Sequence, residues 1–116
     1  MGGFGTWMMG KTYNNFFAAI APVAGGGMSW RASNLRTTPV LAFHGDADKS
    51  VPIVYSRLMV DAVNQTGGNA KLVVLEGYGH NDGIDFAYKN TNLIDWLLAK
   101  RRNMYEPVPE YSSQNF

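Results

Sequence analysis

Two side chains that could do chemistry together stand just after two predicted strands. The apolar run Val40–Phe43 has the pattern of a buried strand, and Asp48 lies in the polar loop after it. Lys71–Leu75 is a second such run, and His80 lies in the loop after that strand. In an open parallel sheet the carboxyl ends of the strands share one rim, where reactive groups gather. We therefore expect Asp48 and His80 to meet there.

A carboxylate beside an imidazole is the base half of a nucleophile–base–acid triad. The carboxylate fixes the ring tautomer and stabilises the imidazolium that forms when the ring takes up a proton. Taken alone, a histidine in a loop is more often a surface or capping residue. Gly77 and Gly79 precede His80 and allow the loop to turn tightly and present the ring, which favours the functional interpretation.

The elements that must position these loops alternate between helix and strand. Besides the two strands already named, the residue pattern predicts a strand at Phe17–Val23 and a helix from Thr6 to Tyr13. Apolar residues recur at helical spacing from Val54 to Thr66 and again from Leu93 to Leu98, and each stretch predicts a helix. The alternation is typical of an α/β fold with about three parallel strands and three flanking helices.

Length and composition are those of one ordinary globular domain. The chain has 116 residues, 46% of them hydrophobic and 16% charged, and a net charge of +1. So small a charge gives no reason to expect nucleic acid or a membrane as a partner. The absence of cysteine excludes disulfides and thiolate chemistry and leaves the compartment open. Residues 1–102 carry the predicted elements, and we expect the Pro- and Ser-containing tail at 103–116 to be poorly ordered.

Several short motifs, taken in order, resemble those of the α/β-hydrolases. HGDADKSVP, residues 44–52, looks like their acid loop, and GYGH, residues 77–80, looks like the loop that carries their catalytic histidine. The opening MGGFGTW is similar to the segment directly after the nucleophile in their Gly-x-Ser-x-Gly elbow. The resemblance extends to residue 102. It is closest to predicted esterases and peptidases related to phospholipase/carboxylesterase and polyhydroxybutyrate depolymerase domains.

This resemblance implies a carboxylic-ester hydrolase that works through a serine acyl-enzyme, with an ester substrate and no metal or cofactor. Asp48 matches the triad acid and His80 matches the triad base. His44 matches a structural histidine, and Asp46 falls at a variable position that we assign to loop capping or solvent. Met1 matches the residue whose backbone N–H donates to the oxyanion.

The nucleophile is where the chain departs from the family pattern. The residue before Met1 should be the serine, and the sequence does not contain it. Ser29 stands in a loop, Ser50 in the acid loop itself and Ser56 in a predicted helix, and none of them fits the elbow. We therefore expect the carboxyl-terminal portion of a serine hydrolase, inactive by itself. A non-catalytic module of the same fold is the alternative.

A rival motif lies near the start of the chain. Gly5–Thr12 fits the phosphate-binding formula G-x-x-x-x-G-K-[ST]. A P-loop comes after a buried strand so that its amides can cradle phosphates, but only Met1–Phe4 precede this one. Trp7 and Met8 also suit helix packing better than phosphate binding. P-loop nucleotide binding is the less favoured alternative.

The predicted strand at Phe17–Val23 would lie at an edge of the sheet. In the family pattern it pairs with the strand that leads into the elbow, which the sequence lacks. An unpaired edge leaves a row of backbone N–H and C=O groups that can pair with another chain. We therefore expect homo-oligomers that form through this edge.

Overall fold

The computed structural model describes residues 2–13, 16–27 and 29–100. Its elements, in order, are helix α1 (Gly2–Thr12), a 3-10 helix (Ser29–Leu35), strand β1 (Val40–Gly45), helix α2 (Val54–Gln65), strand β2 (Ala70–Leu75), helix α3 (His80–Asn90) and helix α4 (Leu93–Leu98). Among these described residues, no helix is long and apolar enough to cross a membrane.

Strands β1 and β2 pair in parallel, in a register that begins with Val40 opposite Ala70. A third parallel segment, residues 20–23, is bridged to the other edge of β1. Pro22 interrupts this segment because it lacks the N–H that a regular ladder would direct at β1. The three predicted parallel strands are therefore present as two regular strands and one bridged segment.

Alternate side chains of β1 enter two separate hydrophobic clusters. Val40 and Ala42 pack with side chains of α1 and α2, among them Trp7 of α1. Leu41 and Phe43 pack in the other cluster with side chains of α3 and α4. All six residues of β1 are buried, as expected of a strand that is covered on both faces. The predicted α/β architecture is thus present, with β1 at its centre.

Helix α1 begins at Gly2, earlier than the predicted start at Thr6. Its first turn lies directly against the backbone of Gly25. A Cβ on Gly3 would lie only 2.6 Å from the Gly25 amide nitrogen, so this approach requires glycine. The early glycines therefore belong to the helix because of a tertiary contact that local propensity does not register.

Helix α3 (His80–Asn90) begins at the last residue of the predicted loop after β2 and covers a stretch for which no element was predicted. Asp82 Oδ1 accepts the N–H of Gly79 at 2.8 Å and so caps the first turn. Ile84, Ala87 and Tyr88 recur at helical spacing in this helix, a signal that the sequence prediction did not use. The described residues therefore contain four α-helices where three were predicted, and His80 is the first residue of one of them.

Candidate active site

Asp48 is held in the loop after β1 by backbone amides. Its Oδ1 accepts the N–H of Ser50 at 2.9 Å and the N–H of Val51 at 2.8 Å. The side chain is completely buried, with no exposed surface. These two bonds leave the second carboxylate oxygen, Oδ2, for other partners.

His80 contacts that second oxygen from the amino end of α3. Its Nδ1 lies 2.8 Å from Asp48 Oδ2. Because an ionised carboxylate can only accept, Nδ1 carries a proton, and Nε2 has no hydrogen-bond partner among the described residues. The His80 side chain remains 24% exposed. The structure thus brings together the two residues that the sequence placed at one rim of the sheet.

One backbone hydrogen bond and one backbone-to-side-chain hydrogen bond hold the two site loops against each other. Ala47 N–H donates to Tyr78 O at 3.0 Å, and Gly77 N–H donates to Asp46 Oδ1 at 2.8 Å. At Gly45 the chains approach so closely that a Cβ would lie 2.2 Å from Tyr78 O. Asp46, which is exposed, therefore links the loops and does not enter the site.

The surroundings of Asp48 favour its charged form. Burial is the largest single influence and by itself would raise the pKa of this carboxyl group. The hydrogen bonds from Val51 and His80, together with the charges of His80 and His44, outweigh burial, so the pKa of Asp48 lies below its ordinary value of 3.8. Asp48 is therefore ionised at neutral pH.

A second imidazole, His44, lies on the inner side of the acid loop. Its Nε2 is 3.5 Å from Asp48 Oδ2 and 2.6 Å from Val51 O. Its Nδ1 is 2.7 Å from Ser56 Oγ. His44 is fully buried, so the packing and hydrogen-bonding role that the resemblance implied is confirmed by these contacts.

A cavity of about 140 Å³ lies beside His80. Its walls include Gly2 and Gly3 in the first turn of α1, Ala24 after the bridged segment, and Tyr88 of α3. Ala24 has a φ of 56°, which is uncommon for a residue with a Cβ. The sequence analysis identified the two site loops but did not predict the residues that line this cavity. The glycine-rich start of the chain was the one feature of the sequence that pointed to them.

The remaining candidates are the predicted oxyanion donor and the serines that were considered as nucleophiles. Met1, proposed as an oxyanion donor, lies outside the described residues, as does the 103–116 tail. Ser56 is buried in α2 and its hydroxyl donates to Gly25 O at 2.7 Å. Ser50 is exposed in the acid loop, where it contributes its backbone N–H to Asp48.

The possible P-loop does not have the structure that phosphate binding needs. Gly5–Thr12 lies wholly within helix α1, so its amides take part in a helix and do not form a loop around an anion. Trp7 packs in the core, as expected, and Lys11 is buried. Among the described residues, no three His, Asp or Glu side chains are placed to hold a metal ion.

Comparison with known protein families assigns the chain to one of them. Its sequence matches the prolyl oligopeptidase family over residues 27–102. The chain therefore belongs to this family, and its fold is a partial α/β-hydrolase fold of the esterase type.

Two similar proteins are esterases. The crystal structure of a thermostable esterase superposes with a TM-score of 0.79 at 29% identity, over 87% of this chain and 29% of that one. Isoprenylcysteine alpha-carbonyl methylesterase ICME of Arabidopsis thaliana is 39% identical over 44 residues, which are 38% of this chain and 10% of the methylesterase. The chain therefore spans less than a third of the length of either protein.

Proposed function

We propose that Asp48 and His80 are the acid and base of a Ser-His-Asp triad that hydrolyses carboxylic esters. The observation that carries this proposal is the 2.8 Å contact between His80 Nδ1 and the buried Asp48, which leaves Nε2 available to a substrate or nucleophile. Similarity to esterases supports an ester as the substrate class.

In this mechanism His80 Nε2 takes the proton of a serine hydroxyl as the serine oxygen attacks the ester carbonyl. Asp48 stays ionised and stabilises the imidazolium that forms. The ring then gives the proton to the departing alcohol, which leaves an acyl-enzyme. Water then attacks the acyl group while the same ring takes its proton; the ring returns this proton to the serine oxygen as the acyl–serine bond breaks, and the acid product is released.

The negative charge of the tetrahedral intermediate would lie near the amino end of α1, which borders the cavity beside His80. Backbone N–H groups and the helix dipole favour an anion at such an end. The N–H of Met1 is the donor that the family resemblance implies.

The nucleophilic serine is proposed to come from outside the 116 residues. The hydroxyl of Ser56 is already bonded to Gly25 and His44. Ser50 lies in the acid loop, and no strand-to-helix elbow holds either serine. We therefore propose that the chain by itself does not turn over esters.

The first experiment compares the 116-residue chain with its His80→Ala variant on p-nitrophenyl acetate. Equal background rates are expected, because the dyad has no serine to activate. Turnover that is lost on His80→Ala would contradict the proposed inactivity.

The second experiment tests the dyad itself in a chimera. Residues 2–100 would replace the matching part of the thermostable esterase, so that the remainder of an esterase chain is present. Esterase activity is expected, and His80→Ala should lower kcat by about 10⁶-fold, the loss typical of a triad without its base. Asp46→Asn is the matched carboxyl control and should leave kcat unchanged. A folded chimera whose activity survives His80→Ala would exclude the proposed base, and a folded chimera without activity would favour the non-catalytic alternative.

We also propose that copies of the chain associate through the outer edge of the bridged segment. The N–H groups of Ile20 and Ala24 donate to the β1 side, whereas those of Ala21 and Val23 make no hydrogen bond among the described residues. A strand of a second copy could accept them. Size-exclusion chromatography at tens of micromolar should show a dimer or larger species, and a single monomer peak would contradict the proposal.

A further inference from the structure

A buried chain of polar groups connects Asp48 to the opposite side of the candidate site. It runs from Asp48 through the His44 ring to the Ser56 hydroxyl and ends at Gly25 O. The longest separation is the 3.5 Å between Asp48 Oδ2 and His44 Nε2, and both links of the Ser56 hydroxyl measure 2.7 Å.

The acceptors determine where the protons lie. Val51 O and Gly25 O can only accept, so His44 Nε2 donates to the first and the Ser56 hydroxyl donates to the second. Ser56 Oγ is the partner of His44 Nδ1. Protein groups therefore engage both ring nitrogens of His44, so this ring cannot replace His80 as a base.

The far end of the network touches the helix that borders the cavity. Gly25 carries the acceptor for Ser56, and its backbone packs on Gly3 so tightly that a Cβ on Gly25 would lie 2.5 Å from the Gly3 Cα. The first turn of α1 and His80 line the same cavity. One continuous set of contacts therefore joins the Asp48–His80 dyad to the amino end of α1.

We propose that His44 and Ser56 are positioning residues that hold the acid loop at a fixed distance from the amino end of α1. In doing so they keep Asp48 Oδ2 aligned with His80 Nδ1. This inference rests on the proposed function, because the alignment matters for a triad. It differs from a purely structural role in one respect: loss of the Ser56 hydroxyl should disturb the His80 ring, which Ser56 does not contact.

The test uses the full chain labelled with ¹⁵N in its histidine rings. His44 and His80 are the two histidines of the sequence, so their ring signals can be assigned by substitution. Wild type should show His80 with its proton on Nδ1. In Ser56→Ala the exchange of this proton with water should accelerate by about fivefold to tenfold, the change that one lost hydrogen bond predicts.

Val63→Ala is the matched control. Val63 lies on the same buried face of α2 and takes no part in the network, so its truncation lowers stability without removing a polar link. The His80 proton of this variant should exchange at the wild-type rate. If Ser56→Ala does not fold, Ser56→Cys keeps a side chain of similar size with a weak donor, and the same acceleration is expected.

The outcomes separate the two proposals. A wild-type His80 without a proton on Nδ1 would overturn the dyad and with it the proposed function. A wild-type signal that persists unchanged in a folded Ser56 variant would overturn only the positioning role. Equal acceleration in the Ser56 variant and in Val63→Ala would also overturn it, because loss of stability alone would then explain the effect.

Discussion

His44 and His80 contact the same oxygen of Asp48, yet their surroundings give them different chemical capacities. His80 approaches Oδ2 at 2.8 Å through Nδ1 and keeps 24% of its side chain exposed. His44 lies 3.5 Å from Oδ2, has no exposed surface and has partners for both of its ring nitrogens. The identity of the residue and of its acid partner therefore does not decide whether an imidazole can act as a base.

The two histidines differ in whether the ring nitrogen that points away from Asp48 has a hydrogen-bond partner in the protein. In His44 it is satisfied by protein, and the ring is a fixed part of the interior. In His80 it has no partner among the described residues, so a proton can be exchanged there. A histidine after a strand is thus a candidate base when the protein gives one ring nitrogen a hydrogen-bond partner and leaves the other nitrogen without one.

The largest effect is expected from Gly45→Ala, which would push apart the loops that carry Asp48 and His80. The new Cβ would lie 2.2 Å from Tyr78 O, a backbone atom that cannot rotate away. We expect a loss of about 4 kcal/mol in the free energy of unfolding, at the upper end of single substitutions. Urea unfolding followed by circular dichroism measures it.

Gly83→Ala is the control for this prediction. Gly83 lies in α3 near the same contact, and there a Cβ would meet Tyr78 Cβ at an ordinary 3.5 Å. Its stability should equal or slightly exceed that of wild type, since alanine favours a helix more than glycine does. Similar losses in both variants would show that the close approach at Gly45 is not the cause.

His44→Ala and His80→Ala compare how much each imidazole contributes to the free energy of unfolding. Loss of the buried His44 ring leaves a cavity and removes partners from Ser56 and Val51, so we expect a cost of about 3 kcal/mol. Loss of the part-exposed His80 ring should cost about 1 kcal/mol, because Asp48 keeps two backbone hydrogen bonds. Urea midpoints of the two variants measure the difference, and equal costs would contradict the roles assigned to the two rings.

The strands and the dyad could be predicted because each depends on local pattern. Val40–Phe43 is a continuous apolar run, and a parallel sheet places the residues after its strands at one rim. The α2 prediction, Val54 to Thr66, differs from the observed end at Gln65 by one residue. Apolar spacing and strand direction were sufficient for these features.

Other features depend on contacts that no local pattern contains. Helix α1 includes its early glycines because Gly3 packs on Gly25, which is distant in the sequence. The cap of α3 by Asp82 is, by contrast, a local signal that the prediction missed. The role of Ser56 had one signal in the sequence: it occupies the helical face that Met59 and Val63 bury, where a hydroxyl needs a partner. Its partners, His44 and Gly25, became visible only in three dimensions.

Asp48→Asn tests the charge that both imidazoles face. At neutral pH we expect a loss of about 2 kcal/mol, since hydrogen bonds to a charged carboxylate are replaced by weaker ones. The folded pKa of Asp48 is lowered, so its contribution is present above the ordinary value of 3.8 and is lost as pH falls through the folded value. The stability difference between wild type and Asp48→Asn should therefore shrink below pH 3.8, as measured by urea unfolding in a pH series. A difference that stays constant down to acid unfolding would contradict the lowered pKa.

The smallest effect is expected at Asp46, two positions from Asp48 and in the same loop. Its carboxylate is exposed and accepts a single hydrogen bond, from Gly77 N–H, so water can replace it in Asp46→Ala. We expect the free energy of unfolding to change by no more than about 0.5 kcal/mol. The His80 Nδ1 proton should keep its wild-type exchange rate in the ¹⁵N spectra, because the buried hydrogen bonds of Asp48 remain. Faster exchange in this variant would show that the exposed link between the loops, and not the buried network behind Asp48, aligns the dyad.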